Sequence, residues 1–110
     1  MIAQLRNEIE FRDGEKVVTG KRVWVWCPGC DGHHALRVEG QGPCWGWNGS
    51  LDAPTFTPSL LVNGSARPED LHPHTSAHRC HSYITDGKIR FLGDCTHALA
   101  NQTVPLGELP

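Results

Sequence analysis

Residues 79–97, RCHSYITDGKIRFLGDCTH, decide how this chain is read. At their centre, Asp86-Gly87 is a two-residue turn signal between two strand-like runs, which predicts an antiparallel hairpin. With that loop, Thr85 pairs with Lys88, Ile84 with Ile89 and Ser82 with Phe91, and Cys80 falls opposite Gly93. Side chains alternate across a strand. One face therefore carries Cys80, Ser82, Ile84, Ile89 and Phe91, and the other carries His81, Tyr83, Thr85, Lys88, Arg90 and Leu92. The first face is the apolar one and is expected to be buried. Continued in register, the chain brings Cys95 and His97 to that face beside Cys80, unless a bulge at Gly93 swaps them.

Upstream, residues 9–27 (IEFRDGEKVVTGKRVWVWC) read as short strands broken by turns at Asp13-Gly14 and Thr19-Gly20. Alternation puts Trp24 and Trp26 on one face, Val23 and Val25 on the other, so both faces are expected to be covered. Residues 34–40 (HALRVEG) form a further short strand, and 41–50 (QGPCWGWNGS) a Gly/Pro-rich loop. Residues 53–62 (APTFTPSLLV) are extended, because each Pro biases its predecessor away from helix. Residues 63–79 are polar and read as one long loop, and a short helical turn fits THALAN at 96–101. The fold class that follows is mainly β, with room for a small α+β variant. Residues 1–110 form one domain of short antiparallel strands, with a C-terminal hairpin and long loops.

Composition narrows the function classes. The 110-residue chain holds twelve Gly and eight Pro, only 20% charged residues, and a formal charge of −2. Nothing in that balance points to nucleic acid or an anionic membrane. The first residues, MIAQLRNEIEF, have no apolar run of signal-peptide length, and no window is long enough to span a bilayer. The expected location is the cytoplasm. Sequons at Asn48, Asn63 and Asn101 are then chance matches of turn residues.

Five Cys without an export signal point to metal or thiol chemistry rather than disulfides. Cys27 and Cys30 flank Pro-Gly in WCPGCDGHH (26–34), a spacing that lets two thiolates share one tetrahedral ion. The hairpin offers Cys80 and Cys95 as partners, with fourteen residues between them and close only if the hairpin forms. Cys27, Cys30 and Cys80 are three expected zinc ligands, with Cys95 and His34 competing for the fourth position. Buried free thiols and a Cys27–Cys30 redox pair are the alternatives. A structural ion would suit a domain with so small a core, since its binding free energy, roughly 10 kcal/mol, counts toward folding. Cys44 reads as a free thiol.

Two further features carry chemistry. Ser82 is polar on the apolar face, His97 is expected on the same face, and Asp94 lies three residues before His97. Ser82, His97 and Asp94 therefore form a candidate nucleophile, base and orienting carboxylate. A zinc-bound water with His34 or His97 as ligand is the metal variant of that idea. Trp45 and Trp47 read either as core or as an exposed binding platform; His72, His74 and His78 read as part of a solvated polar loop, with transition-metal binding as the alternative.

Three blocks, WCPGCDGHHAL (26–36), WGWNGSLDAPTFTPSLLV (45–62) and RCHSYITDGKIRFLGDCTHALANQTVPL (79–106), resemble a family of small phage and prophage proteins of unknown function. Members are often labelled ammonia monooxygenase, a label that no copper-site pattern or membrane span here supports. Relatives occur beside bacterial ubiquitin-like conjugation genes. The resemblance covers residues 22–107 and carries over Cys27, Cys30, His34, Cys80, His81, Cys95 and His97, with Asn101 standing where Gly is expected. It implies a zinc-binding accessory protein that binds a host or phage protein in the host cytoplasm. The alternative is a peptidase-like hydrolase acting on ubiquitin-like conjugates through Ser82 and His97 or a zinc-bound water.

Overall fold

A computed structural model describes residues 1–62 and 79–110; the loop expected at 63–78, with His72, His74 and His78, lies outside the described residues. Among the described residues nine strands follow in order: β1 (Ala3–Arg12), β2 (Glu15–Cys27), β3 (Gly32–Gly40), β4 (Gly46–Trp47), β5 (Phe56–Thr57), β6 (Leu60–Val62), β7 (Cys80–Thr85), β8 (Lys88–Phe91) and β9 (Thr103–Pro105). They pair antiparallel in three sheets, β1-β2-β3, β4-β5 and β6-β7-β8-β9. The mainly β expectation is met, with no α-helix among the described residues. Nor is any described helix long and apolar enough to cross a membrane.

The turns expected at Asp13-Gly14 and Asp86-Gly87 both form. Asp13 and Gly14 have φ of 51° and 79°, and Asp86 and Gly87 have 50° and 76°. Positive φ at both central residues gives the turn whose twist matches a tight hairpin. The β7–β8 register is the expected one, Thr85↔Lys88, Ile84↔Ile89, Tyr83↔Arg90 and Ser82↔Phe91.

Other expectations are corrected. Thr19-Gly20 makes no turn: β2 runs unbroken through Gly20, which pairs with both Glu8 and Gly40. A Cβ there would stand 2.4 Å from the Glu39 carbonyl oxygen, so glycine serves close strand approach rather than reversal. The first strands are accordingly long, ten and thirteen residues. Residues 46–47 of the expected loop pair with β5 as a two-residue strand. THALAN is a turn without helix, closed by Asn101 at φ 67°. Asn is among the few non-glycine residues that enter this left-handed region readily, so it serves where the resemblance expects Gly.

Alternation decides what the sheets bury. Val23, Val25 and Cys27 of β2, Leu36 of β3, Leu60 of β6 and Ile84, Ile89 and Phe91 of the hairpin join one buried cluster with Phe56 and Leu106. Trp24 and Trp26 keep to the opposite, half-buried face of β2, each edge-on to His33. Trp45 and Trp47 pack against the core rather than standing free. The first sheet is also tied by charge: Glu8 of β1 pairs with Arg22 of β2 and accepts two bonds from Arg37 of β3, at 2.9 and 2.8 Å. Those Arg37 bonds, ahead of Arg22, hold the Glu8 carboxyl below its ordinary pKa. A backbone bond from Gly107 to Trp26, 3.2 Å, joins the C-terminal segment to the first sheet.

Candidate active site and thiol cluster

Strand β7 carries different chemistry on its two faces. Inward lie Cys80, Ser82 and Ile84, buried; outward lie His81, half-buried, then Tyr83 and Thr85, exposed. Strand β6 pairs with it through Leu61↔His81. Ser59, immediately before β6 and two residues from Leu61, is thereby a diagonal neighbour of His81 on the outer face. Its Oγ lies 3.2 Å from His81 Nε2. On the other side of the ring, His81 Nδ1 lies 3.1 Å from the Asp94 Oδ2. Ser59, His81 and Asp94 thus form a continuous hydrogen-bonded line of hydroxyl, imidazole and carboxylate, the same order of groups as in a serine-hydrolase triad.

Each member is held from behind. The Trp45 indole N–H donates to the Ser59 carbonyl at 3.4 Å. The His81 carbonyl accepts the Leu92 N–H at 2.9 Å, and its own N–H donates to Cys95 Sγ at 3.2 Å. The Cys95 thiol returns a bond to the His81 carbonyl, also at 3.2 Å. Asp94 sits in the turn after β8, where its carbonyl accepts Arg79 Nε–H at 2.7 Å. Thr96 and Arg79 close that turn through two bonds, of 2.8 and 3.0 Å.

Directly beneath, on the inner face, Cys27, Cys30, His34 and Cys80 offer four buried donor atoms that lie within 4.8 Å of one another. The Sγ atoms of Cys27 and Cys80 are 3.9 Å apart. Two thiolates on a tetrahedral ion with bonds of about 2.3 Å would stand about 3.8 Å apart. The Cys30 N–H points at Cys27 Sγ from 3.4 Å, the donation a Cys-Pro-Gly-Cys turn makes to a bound sulfur. His34 Nε2 is buried with no hydrogen-bond partner among the described residues, a cost that ligation would remove. Without an ion, thiol hydrogen bonds from Cys30 and then Cys80 pull the Cys27 pKa far down. The same contact with Cys27 pushes Cys30 up to about 12 and raises Cys80 strongly. Three thiols and an imidazole this close compete for protons, and a cation that replaces those protons fits this donor set. Cys80, Cys95 and His97 form a second group that shares Cys80. Cys95, whose pKa is raised chiefly by burial, already spends its thiol on the His81 backbone. Cys44 is exposed and outside both groups.

The set Ser82, His97 and Asp94 is not assembled. Ser82 Oγ is fully buried and has no hydrogen-bond partner among the described residues, so it makes no bond to His97. The Asp94 carboxylate turns to His81 instead. His97 lies inside, edge-on to Phe91 at 4.4 Å and accepting the Leu99 N–H at 3.2 Å through Nδ1. Its ring also covers Gly29, where a Cβ would meet it at 2.4 Å. Ser82→Ala removes a buried, unsatisfied oxygen and is expected to leave activity unchanged and stability equal or higher by about 1 kcal/mol. Urea unfolding with a parallel activity assay checks this, and a large activity loss would restore Ser82 as a candidate.

The family model for the bacterial ubiquitination-like system serine protease, BubE, matches residues 3–92. The chain belongs to the BubE family. No curated protein and no solved structure matches it. The BubE match contains Ser59 and His81 together with Cys27, Cys30, His34 and Cys80, and ends two residues before Asp94. Sequence reasoning named Asp94 but missed Ser59 and His81 as catalytic candidates. The hairpin parity had already put His81 outside; what was missing was the β6–β7 pairing that delivers Ser59 to it.

Proposed function

We propose that this chain is a metal-stabilised serine protease that cleaves an acyl bond, peptide or ester, in proteins of a bacterial ubiquitination-like system. The hydrogen-bonded line Ser59–His81–Asp94 carries the reading, and the BubE family description supports it over the accessory binder that the sequence first suggested. Asp94 accepts the Nδ1–H of neutral His81, which leaves Nε2 as the acceptor facing the Ser59 hydroxyl. As Ser59 Oγ bonds to the acyl carbon, its proton passes to Nε2, and Asp94 stabilises the imidazolium. His81 then returns that proton to the leaving nitrogen or oxygen, giving an acyl-Ser59 intermediate. Water attacks the acyl carbon with His81 again as base, releasing the acid and restoring the serine.

The metal in this reading is zinc, with Cys27, Cys30, Cys80 and His34 as ligands. Four protein donors make a closed structural site, which supplies rigidity rather than a bound nucleophile. Because Cys80 and His81 are neighbours on opposite faces of β7, the cluster anchors the strand that carries the base.

Covalent labelling tests the reading. A fluorophosphonate probe should add one phosphonyl group to the protein, mapped to Ser59 by peptide mass spectrometry and absent from Ser59→Ala. Labelling at another serine, or none at all, would overturn it.

A further inference from the structure

The described surface carries at least two grooves. One, of about 420 Å³, lies on the first sheet among Glu8, Glu10, Arg12, Val18 and Arg37. Its charges satisfy one another, Glu8 with Arg22 and Arg37, Glu10 with Arg12, so none is left for a ligand. The other, of about 780 Å³, lies on the outer face of the third sheet and differs in this respect.

Tyr83, Lys88, Arg90, Leu92 and Thr103 line the second groove. Tyr83 follows His81 by two residues on the same face of β7, a separation of about 7 Å. Leu92, whose amide bonds the His81 carbonyl, forms the wall next to it. No triad residue lines the groove; it begins one pleat from His81, at Tyr83 and Leu92, and runs toward the Asp86-Gly87 turn. Across it, Arg90 faces Tyr83 on one side and Thr103 on the other, while Lys88 faces Thr85.

Arg90 and Lys88 are exposed, and among the described residues neither side chain enters an ion pair. The lining carboxylate is Asp86, at the far turn. Two unpaired cations thus stand on one face of a single strand in a chain whose net charge is −2. Being residues i and i+2 of β8, they are spaced like alternate side chains of an extended peptide. Arg presents a fork that fits a carboxylate bidentately, and Lys adds a second charge. Tyr83, 44% exposed, offers an aromatic wall to the aliphatic parts of such a peptide.

We propose that this groove is the substrate cleft and that it selects an extended peptide segment with acidic side chains at alternate positions beside the bond that Ser59 attacks. This inference rests on the serine-protease reading of the triad.

The test separates the two. Binding is measured by fluorescence polarisation on Ser59→Ala protein, with a labelled peptide carrying two Glu at alternate positions and a counterpart carrying Gln. The Glu peptide should bind at least about tenfold tighter, more so at low salt. In Ser59→Ala protein that also carries Lys88→Glu and Arg90→Glu, with folding checked by thermal melting, that preference should vanish or invert. Equal binding of the two peptides, or a preference untouched by the charge reversal, would overturn the cleft while leaving fluorophosphonate labelling of the wild-type Ser59 intact. A reversible Glu preference with no labelling of Ser59 would overturn the protease reading, and the groove's role as a substrate cleft with it.

Discussion

Ser59→Ala is expected to lower kcat by about 10⁴-fold or more against an activated peptide ester, with circular dichroism and melting temperature close to those of the parent protein. The hydroxyl is half-buried at the head of β6, so its loss removes a nucleophile without opening the core. His81→Ala should be comparably inactive, and the double variant no worse than either single one, because members of a triad act as a unit. Asp94→Asn tests orientation separately. An amide in place of the carboxylate donates to Nδ1 and favours the tautomer with a proton on Nε2, which faces Ser59. A drop of about 10⁴-fold is expected there too. Substrate binding should change little in all three, so the loss belongs in kcat. Ser59→Ala protein retaining more than a tenth of the parent rate would sink the triad.

Metal removal is expected to have the larger structural effect. Apparent binding free energies for structural zinc run about 10–16 kcal/mol at neutral pH. Domain stabilities total only about 5–15 kcal/mol. A chain of 110 residues with three of its four buried thiols and His34, unpartnered among the described residues, gathered in its core should therefore unfold, or melt tens of degrees lower, once the ion is chelated. Acid should do the same, since protons compete for the thiolates; the ion's contribution is present at neutral pH and is lost as pH falls. Activity should disappear in step with the fold. Metal content decides the ligand set: Cys27→Ser, Cys30→Ser, Cys80→Ser and His34→Ala should each lose the ion, whereas Cys95→Ser should keep it. Retention in His34→Ala with loss in Cys95→Ser would exchange those two roles, and purified protein without metal would remove the site.

The division between what was legible in the sequence and what was not follows the range of the interactions. Turn chemistry is local, and Asp13-Gly14 and Asp86-Gly87 announced the β1–β2 and β7–β8 hairpins together with the register of β7 and β8. Alternation is local as well, and it placed Cys80 and Ser82 inside and His81 outside before any partner strand was known. The Cys27–Cys30 spacing is local chemistry of the same kind. Parity even brought Cys95 and His97 to the buried side, although the β8 ladder stops at Phe91.

Tertiary structure decided the rest. Gly20 looked like a turn until Glu39 was seen pressing on its backbone from β3. Ser82 looked like a nucleophile because it is a polar residue on an apolar face; only the packed core shows that it is fully buried and has no hydrogen-bond partner among the described residues. Ser59 is an unremarkable serine after a proline in the linear chain. It meets His81 only because β6 pairs with β7, twenty-two residues away. Asp94 reaches the same ring only because the hairpin folds back past Leu92. By itself the sequence determined which side chains share a face, because alternation and turn geometry act within a few residues. Which faces meet, and so which serine, histidine and aspartate touch, was settled by strand pairings between distant segments, and no local signal encodes those pairings.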